Sequence, residues 1–102
     1  MKKSIKYELI IRSSAEEDLS DIVFWYEKKV PGLGARFLDD FSKKLSDISD
    51  APFNFPSKFS PFRMALVENF PYKIWFKIED SRVIVIAVIH AFRKDENWLT
   101  RR

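Results

Sequence analysis

The chain has no cysteine, only two glycines and a single histidine among its 102 residues. Without cysteine there can be no disulfide, no thiol nucleophile and no zinc–thiolate site. One imidazole cannot build a histidine-rich metal centre either, so no metal and no cofactor is expected. No apolar run approaches the roughly 20 residues of a membrane-spanning helix. The opening Met1-Lys2-Lys3-Ser4-Ile5-Lys6-Tyr7-Glu8 is too polar for the core of a signal peptide. A cytoplasmic protein with no membrane partner is expected.

What the chain does have argues against disorder. Hydrophobic residues make up 46% and aromatics 16%, with ten Phe, enough for a well-packed core. The length fits one domain over 1–102. Net charge is a modest +3, but it is unevenly laid out. Residues 1–13 carry four cations against one acid, residues 14–50 nine acids against five bases, and residues 51–102 nine bases against five acids. The acidic block coincides with the helical segment and the basic blocks with the strands. A negative helical side and a positive sheet side would suit a polyanion or an acidic protein partner. Two ordinary solvated faces would give the same count.

Hydrophobic periodicity divides the chain. Lys6 to Arg12 alternates as a first strand. Ser14-Ala15-Glu16-Glu17 reads as a capping box, after which Leu19, Ile22, Val23 and Tyr26 recur at helical spacing. Pro31-Gly32 ends that helix. A second helix runs from about residue 34 to 49 with Leu38, Phe41, Leu45 and Ile48 as its core face, and so short a turn makes the pair an antiparallel hairpin. Ala51 to Pro61 reads as a loop without regular structure, because Pro52, Pro56 and Pro61 interrupt it; Phe53, Phe55 and Phe59 would pin it to the core. Three strands follow: Phe62 to Glu68, then Phe70 to Glu79, then a run from Val83 apolar on both faces, which belongs at the centre of a sheet. Asp80-Ser81 closes the last hairpin without the glycine that the tightest turns favour. The result is an α+β fold of two layers, β-α-α-β-β-β, with the helical hairpin on one face of a small antiparallel sheet. The first strand should join a sheet edge, its partner undetermined.

The last strand leaves the core at His90-Ala91-Phe92-Arg93, which sets a titratable ring beside a fixed cation. This strand end is the first candidate site. A structural hydrogen bond for His90 and a solvated or ion-paired Arg93 are the plainer readings.

Several segments together resemble the RelE/ParE toxins of bacterial type II toxin–antitoxin modules, including the plasmid-stabilisation type. They are Trp25-Tyr26-Glu27 before Pro31-Gly32-Leu33-Gly34-Ala35-Arg36-Phe37-Leu38, then Pro52 and Phe55-Pro56, Arg63, Phe70-Pro71-Tyr72, and His90 to Arg93 with Trp98. The resemblance spans nearly the whole chain and implies a two-helix hairpin on a small antiparallel sheet. It also implies a cognate antitoxin with an acidic tail that folds onto the toxin, at an edge strand or beside the helical hairpin.

One such fold serves two targets. RelE-like members cut messenger RNA on the ribosome without a metal, which requires a base, cations for the transition state and a proton donor. Carried over residue by residue, those roles fall on Arg63, Lys73 and Arg93, with His90 as an additional acid or base. Trp98 is the tail aromatic able to stack on a base. ParE-like members poison DNA gyrase and need no catalytic group of their own. Ala65 stands where the nucleases carry a lysine, and no tyrosine is found in the tail. The reading taken is therefore ParE-like action on gyrase. The alternatives are a RelE-like endoribonuclease and a non-toxic basic binding module. Arg93 is expected near Arg63, gripping a phosphate or an acidic group of a partner. If that site is wrong, Trp25 and Arg36 on the helical hairpin are the next residues to test.

Overall fold

The computed structural model describes residues 6–93. In chain order they form β1 (Glu8–Ile11), α1 (Ser13–Lys29), α2 (Leu33–Asp50), a 3-10 turn (Pro52–Asn54), β2 (Ser57–Phe59), β3 (Phe62–Leu66), β4 (Tyr72–Glu79) and β5 (Arg82–His90). The five strands make one sheet in the order β1-β5-β4-β3-β2. The α+β architecture and element order match the sequence reading, and the last three strands pair antiparallel as an unbroken meander. The sheet as a whole is mixed, since β1 pairs parallel with β5, Leu9 facing Val83 and Ile11 facing Val85. β5 is an interior strand but not the central one that its apolar run predicts: β1 adds beyond it, so β4 takes the middle.

Three local readings are corrected. The proline-rich segment is not without regular structure: it contains the 3-10 turn and the short edge strand β2, whose Ser57 pairs with Arg63. Pro52 opens the 3-10 turn, and Pro56 and Pro61 lie on either side of β2, all places where a missing N–H is tolerated. The capping box is not formed either. α1 starts two residues earlier, with Arg12 rather than Ser14 at the cap and no side-chain cap bond. Ser14 instead donates its hydroxyl to the Ile86 carbonyl at 2.9 Å, 72 positions along the chain. On α2, Phe37 (0% exposed) replaces Leu38 (39%) on the core face. Phe37 lies one turn before Phe41 and so shares the inward face with Phe41 and Ile48.

The hairpin is held by chemistry that the sequence does not spell out. Gly32 sits at φ 90, in the left-handed region open to glycine, and caps α2 without a side chain. The orphan N–H groups of that helix end go to a carboxylate on the other helix. Glu27 accepts the Gly32 N–H at 2.7 Å and the Gly34 N–H at 3.0 Å. A Cβ at Gly34 would lie 2.9 Å from the Val23 carbonyl oxygen, so glycine lets the two helices approach. Asp80 closes the β4–β5 turn at φ 57, a conformation aspartate tolerates better than most residues.

Helix-side residues Ile22, Phe37, Phe41, Phe76, Val85 and Val88 form one core cluster. Trp75, Ile84, Ile86, Ala87 and Ile89 belong to a second cluster on the other face. A bulge in β5 makes this possible. Phe76 pairs with Val85 and Trp75 with Ala87, so Ile86 is the extra residue. β1 ends opposite Val85. Beyond it, α1 takes over the open edge of β5: Ser14 donates to the Ile86 carbonyl, and Asp18 accepts the Val88 N–H at 2.9 Å.

Candidate functional site

Because β5 continues past the end of β1, α1 and the last residues of β5 stand side by side with a cleft of about 560 Å³ between them. Asp18, Asp21, Trp25 and Tyr26 enter from α1; Tyr72, His90 and Arg93 enter from the sheet end. Asp18, Asp21 and Trp25 lie three to four positions apart, the spacing that gathers side chains on one helix face, and Ile22 and Tyr26 make a second such row beside them.

His90 is half-buried. Its Nδ1 accepts the Phe92 N–H at 3.2 Å and its carbonyl accepts the Arg93 N–H at 3.0 Å, a tight turn that leaves Nε2 as the ring's donor atom. The ring meets Tyr72 edge-to-face at 5.2 Å. Burial pushes the Tyr72 phenol up, against a smaller opposite pull from the Arg93 cation. Burial likewise raises Tyr26, with Tyr72 adding to it. Both tyrosines are therefore neutral phenols over the whole physiological range. Arg93 itself is exposed at the mouth.

The structure brings together two of the four residues proposed for catalysis. His90 and Arg93 share the cleft; Arg63 and Lys73 do not. Arg63 pairs with Phe76 and His90 with Tyr72, four residues apart on β4, or about 13 Å along the sheet. Arg63 is not near Arg93, contrary to the expectation. Its guanidinium donates to the Phe55 carbonyl at 2.7 Å and lies 5.0 Å from the Phe53 ring, tying the 3-10 turn to β3. Lys73 faces the opposite side of the sheet, in register with Ile89 and 5.9 Å from the Trp75 ring. Ala65, 2% exposed, is packed in the helix-side core, so that position offers no surface cation. Trp98 lies outside the described residues.

Sequence reasoning missed Asp18, Asp21, Tyr26 and Tyr72 as lining residues. The signal was present for the first two: Asp18 and Asp21 flank the buried stripe at helical spacing. That β5 would outrun β1 and open a cleft there is a matter of strand length and pairing.

Among the described residues, no three histidine or acidic side chains gather as metal ligands. No helix is long and apolar enough to cross a membrane. The family described as ParE toxin of type II toxin-antitoxin system, parDE, matches residues 9–94. The chain belongs to this family. A comparison with curated proteins returns no significant match. Among solved structures, this toxin is similar to the chromosomal ParDE toxin–antitoxin system of Pseudomonas aeruginosa, at TM-score 0.74 and 16% identity over 85% of this chain and 98% of that one. It is also similar to the Escherichia coli toxin RelE in the free state, with two arginines changed to alanine, at TM-score 0.67 and 17% identity over 94% and 93%. A third likeness is the RelBE2 toxin–antitoxin complex of Mycobacterium tuberculosis, at TM-score 0.57 and 18% identity over 88% and 97%. At such identities the likeness speaks to the fold.

Proposed function

We propose that this type II toxin arrests growth in the cytoplasm by a ParE-like action on DNA gyrase and is neutralised by a cognate antitoxin. The observation that carries the gyrase reading is the dispersal of the nuclease set. Phosphodiester cleavage without a metal needs a base, an acid and cations within a few ångströms of one phosphate. Here Arg63 is about 13 Å along the sheet from the His90 end and Lys73 faces away. The family match to ParE points the same way.

For the antitoxin, a shallow apolar groove between the outer faces of α1 and α2 supports docking on the helical hairpin. Leu19, Val23, Phe24 and Leu38 line it, with Phe24 64% exposed. An amphipathic segment would cover those side chains.

Purified toxin incubated with gyrase, plasmid and ATP should trap cleaved complexes, visible as linear DNA after protease treatment. Translated messages should stay intact in a reconstituted translation mix. Codon-dependent cuts with unaffected gyrase would reverse the conclusion. One observation favours that second reading: His90, Tyr72 and Arg93 do form a proton-bearing group beside a cation.

A further inference from the structure

We propose that the far face of the sheet is the docking surface of the chain's own C-terminal segment, residues 94–102, with Trp98 and Leu99 as its anchor. Trp98 is then a core residue of a third layer and not a ring for stacking on a base. The inference does not depend on whether gyrase or a message is the target.

The first argument is burial. Both helices pack on one face of the sheet, α1 against β5 and α2 against β1 and β3, and Phe55 after the 3-10 turn joins the same side. The cluster on the other face contains no helical residue. Phe62, Trp75, Ile84, Ile86 and Ile89 form it, and their packing partners also stand on strands. An antiparallel sheet that leaves one face to water carries polar residues there. On this face apolar residues from all five strands meet instead, and Trp75 and Ile86 are 0% exposed. Neighbours within a sheet shield the flanks of a side chain, as the Phe59 ring does for Trp75 at 5.9 Å. They do not cover its outer end, because side chains stand across the sheet plane. Burial this complete requires a further layer.

The second argument is which end of the chain supplies it. Before β1, Tyr7 bonds to Ser49 and Lys6 pairs with Asp50, both at the end of α2, so the chain enters β1 from the helix side. It does so at the Arg82 end of β5, away from Ile86 and Ile89. The C-terminal segment starts at the opposite end, where β5 stops at His90 in register with Tyr72. Trp75, paired with Ala87, is three residues along β4 from there, or about 10 Å. Trp98 follows Arg93 by five residues, a reach of about 17 Å before the length of its own side chain is added. Trp98 and Leu99 are adjacent and are the only apolar residues between 94 and 102, so they are the pair able to cover an apolar face.

The test uses the full-length chain, labelled with carbon-13 and nitrogen-15. Assigned NMR spectra should show cross-peaks from the Trp98 ring to the methyl groups of Ile86 and Ile89. Trp98→Ala should melt about 10 °C lower, and Trp98→Phe should recover most of that loss. In a Trp25→Phe background each of these variants leaves Trp75 as the sole tryptophan. Its emission should shift to the red and become open to acrylamide with Trp98→Ala, and stay blue and shielded with Trp98→Phe. If the alanine variant fails to fold, the cross-peaks of the unaltered chain and the phenylalanine variant decide. Absent cross-peaks, or a Trp98→Ala chain with unchanged melting and a shielded Trp75, overturn the proposal. Cross-peaks from Met1 or Ile5 in place of Trp98 also overturn it and assign the layer to the N-terminus. A Trp98 ring that lacks contacts to β5 and shifts with a short oligoribonucleotide returns it to the stacking role the resemblance implies.

Discussion

Replacing Arg63 with alanine separates a structural cation from a functional one. Its guanidinium holds the Phe55 carbonyl at 2.7 Å and covers the Phe53 ring at 5.0 Å, so the substitution unties the proline-rich segment from β3. A hydrogen bond from a charged donor contributes about 1.5–3 kcal/mol and a cation–π contact about 0.5–1 kcal/mol. Because Arg63 is only half-buried, the lower half of these ranges applies, and the loss is about 2 kcal/mol. For a chain of this length each kcal/mol moves the melting temperature by about 5 °C, so Arg63→Ala should melt about 10 °C lower. Arg63→Lys keeps one donor but not the flat contact with Phe53, and should recover about half of that.

The cleft at the other end of the sheet is untouched by this change. Growth arrest on expression at 25 °C, where the variant stays folded, should therefore persist. Thermal melts by circular dichroism and plate assays of induced cells provide the two readouts. A variant that melts within about 2 °C of the parent yet no longer arrests growth refutes the reasoning. It would return Arg63 to the site the resemblance implies.

Arg93 is expected to behave in the opposite way. Its side chain is exposed at the mouth of the cleft, so Arg93→Ala should abolish or greatly weaken toxicity with an unchanged melting temperature, and Arg93→Lys should restore it only in part. Glu27→Ala frees the N–H groups of Gly32 and Gly34 and should cost about 1–2 kcal/mol in a denaturant titration, with Glu27→Gln intermediate because one acceptor remains. The two tyrosines whose phenols are raised by burial bind their protons more tightly when folded than when unfolded. Their contribution is fully present below the ordinary tyrosine value near pH 10 and is lost as pH rises through the folded values. A Tyr26→Phe, Tyr72→Phe double variant should accordingly show a shallower loss of stability above about pH 10 in parallel melts.

The sequence carried most of the fold because its signals were periodic. The stripe Leu19, Ile22, Val23, Tyr26 faces the core, and the meander pairs in the order that short turns require. Its failures share one physical origin. Ser14 looked like a cap because Glu17 follows at the right spacing, but a hydroxyl serves whichever orphan group is nearest. Here that group is a carbonyl of β5. Leu38 and Phe37 are apolar neighbours that both fall near the face of Phe41, so periodicity alone does not decide which of them is buried. The short strand β2 carries three residues and no alternation long enough to read. For the candidate site, His90 and Arg93 were legible as a strand terminus. Their separation from Arg63 and Lys73 depends on register and on which face each residue takes, and both follow from pairing over long sequence distances.

The bulge shows why that information is hidden. Val83 to Ile89 is a continuous apolar run, and a run without alternation does not reveal where its phase changes. Ile86 and Ala87 fall on the same face, which brings Val88 back to the helix side and His90 with it, in register with Tyr72. Without the bulge, the face assignment of everything after Ile86 would reverse, because the side-chain period of a strand is two. His90 would then leave α1 and join Lys73 on the other face. Two polar side chains of α1 bond to the strand at and just after the bulge: Ser14 on the Ile86 carbonyl and Asp18 on the Val88 N–H. The same first turns of α1 thus support the irregular segment of β5 and supply the acidic wall of the cleft. Fold and site are coupled at these two residues, which lie about 70 positions from the strand they bond.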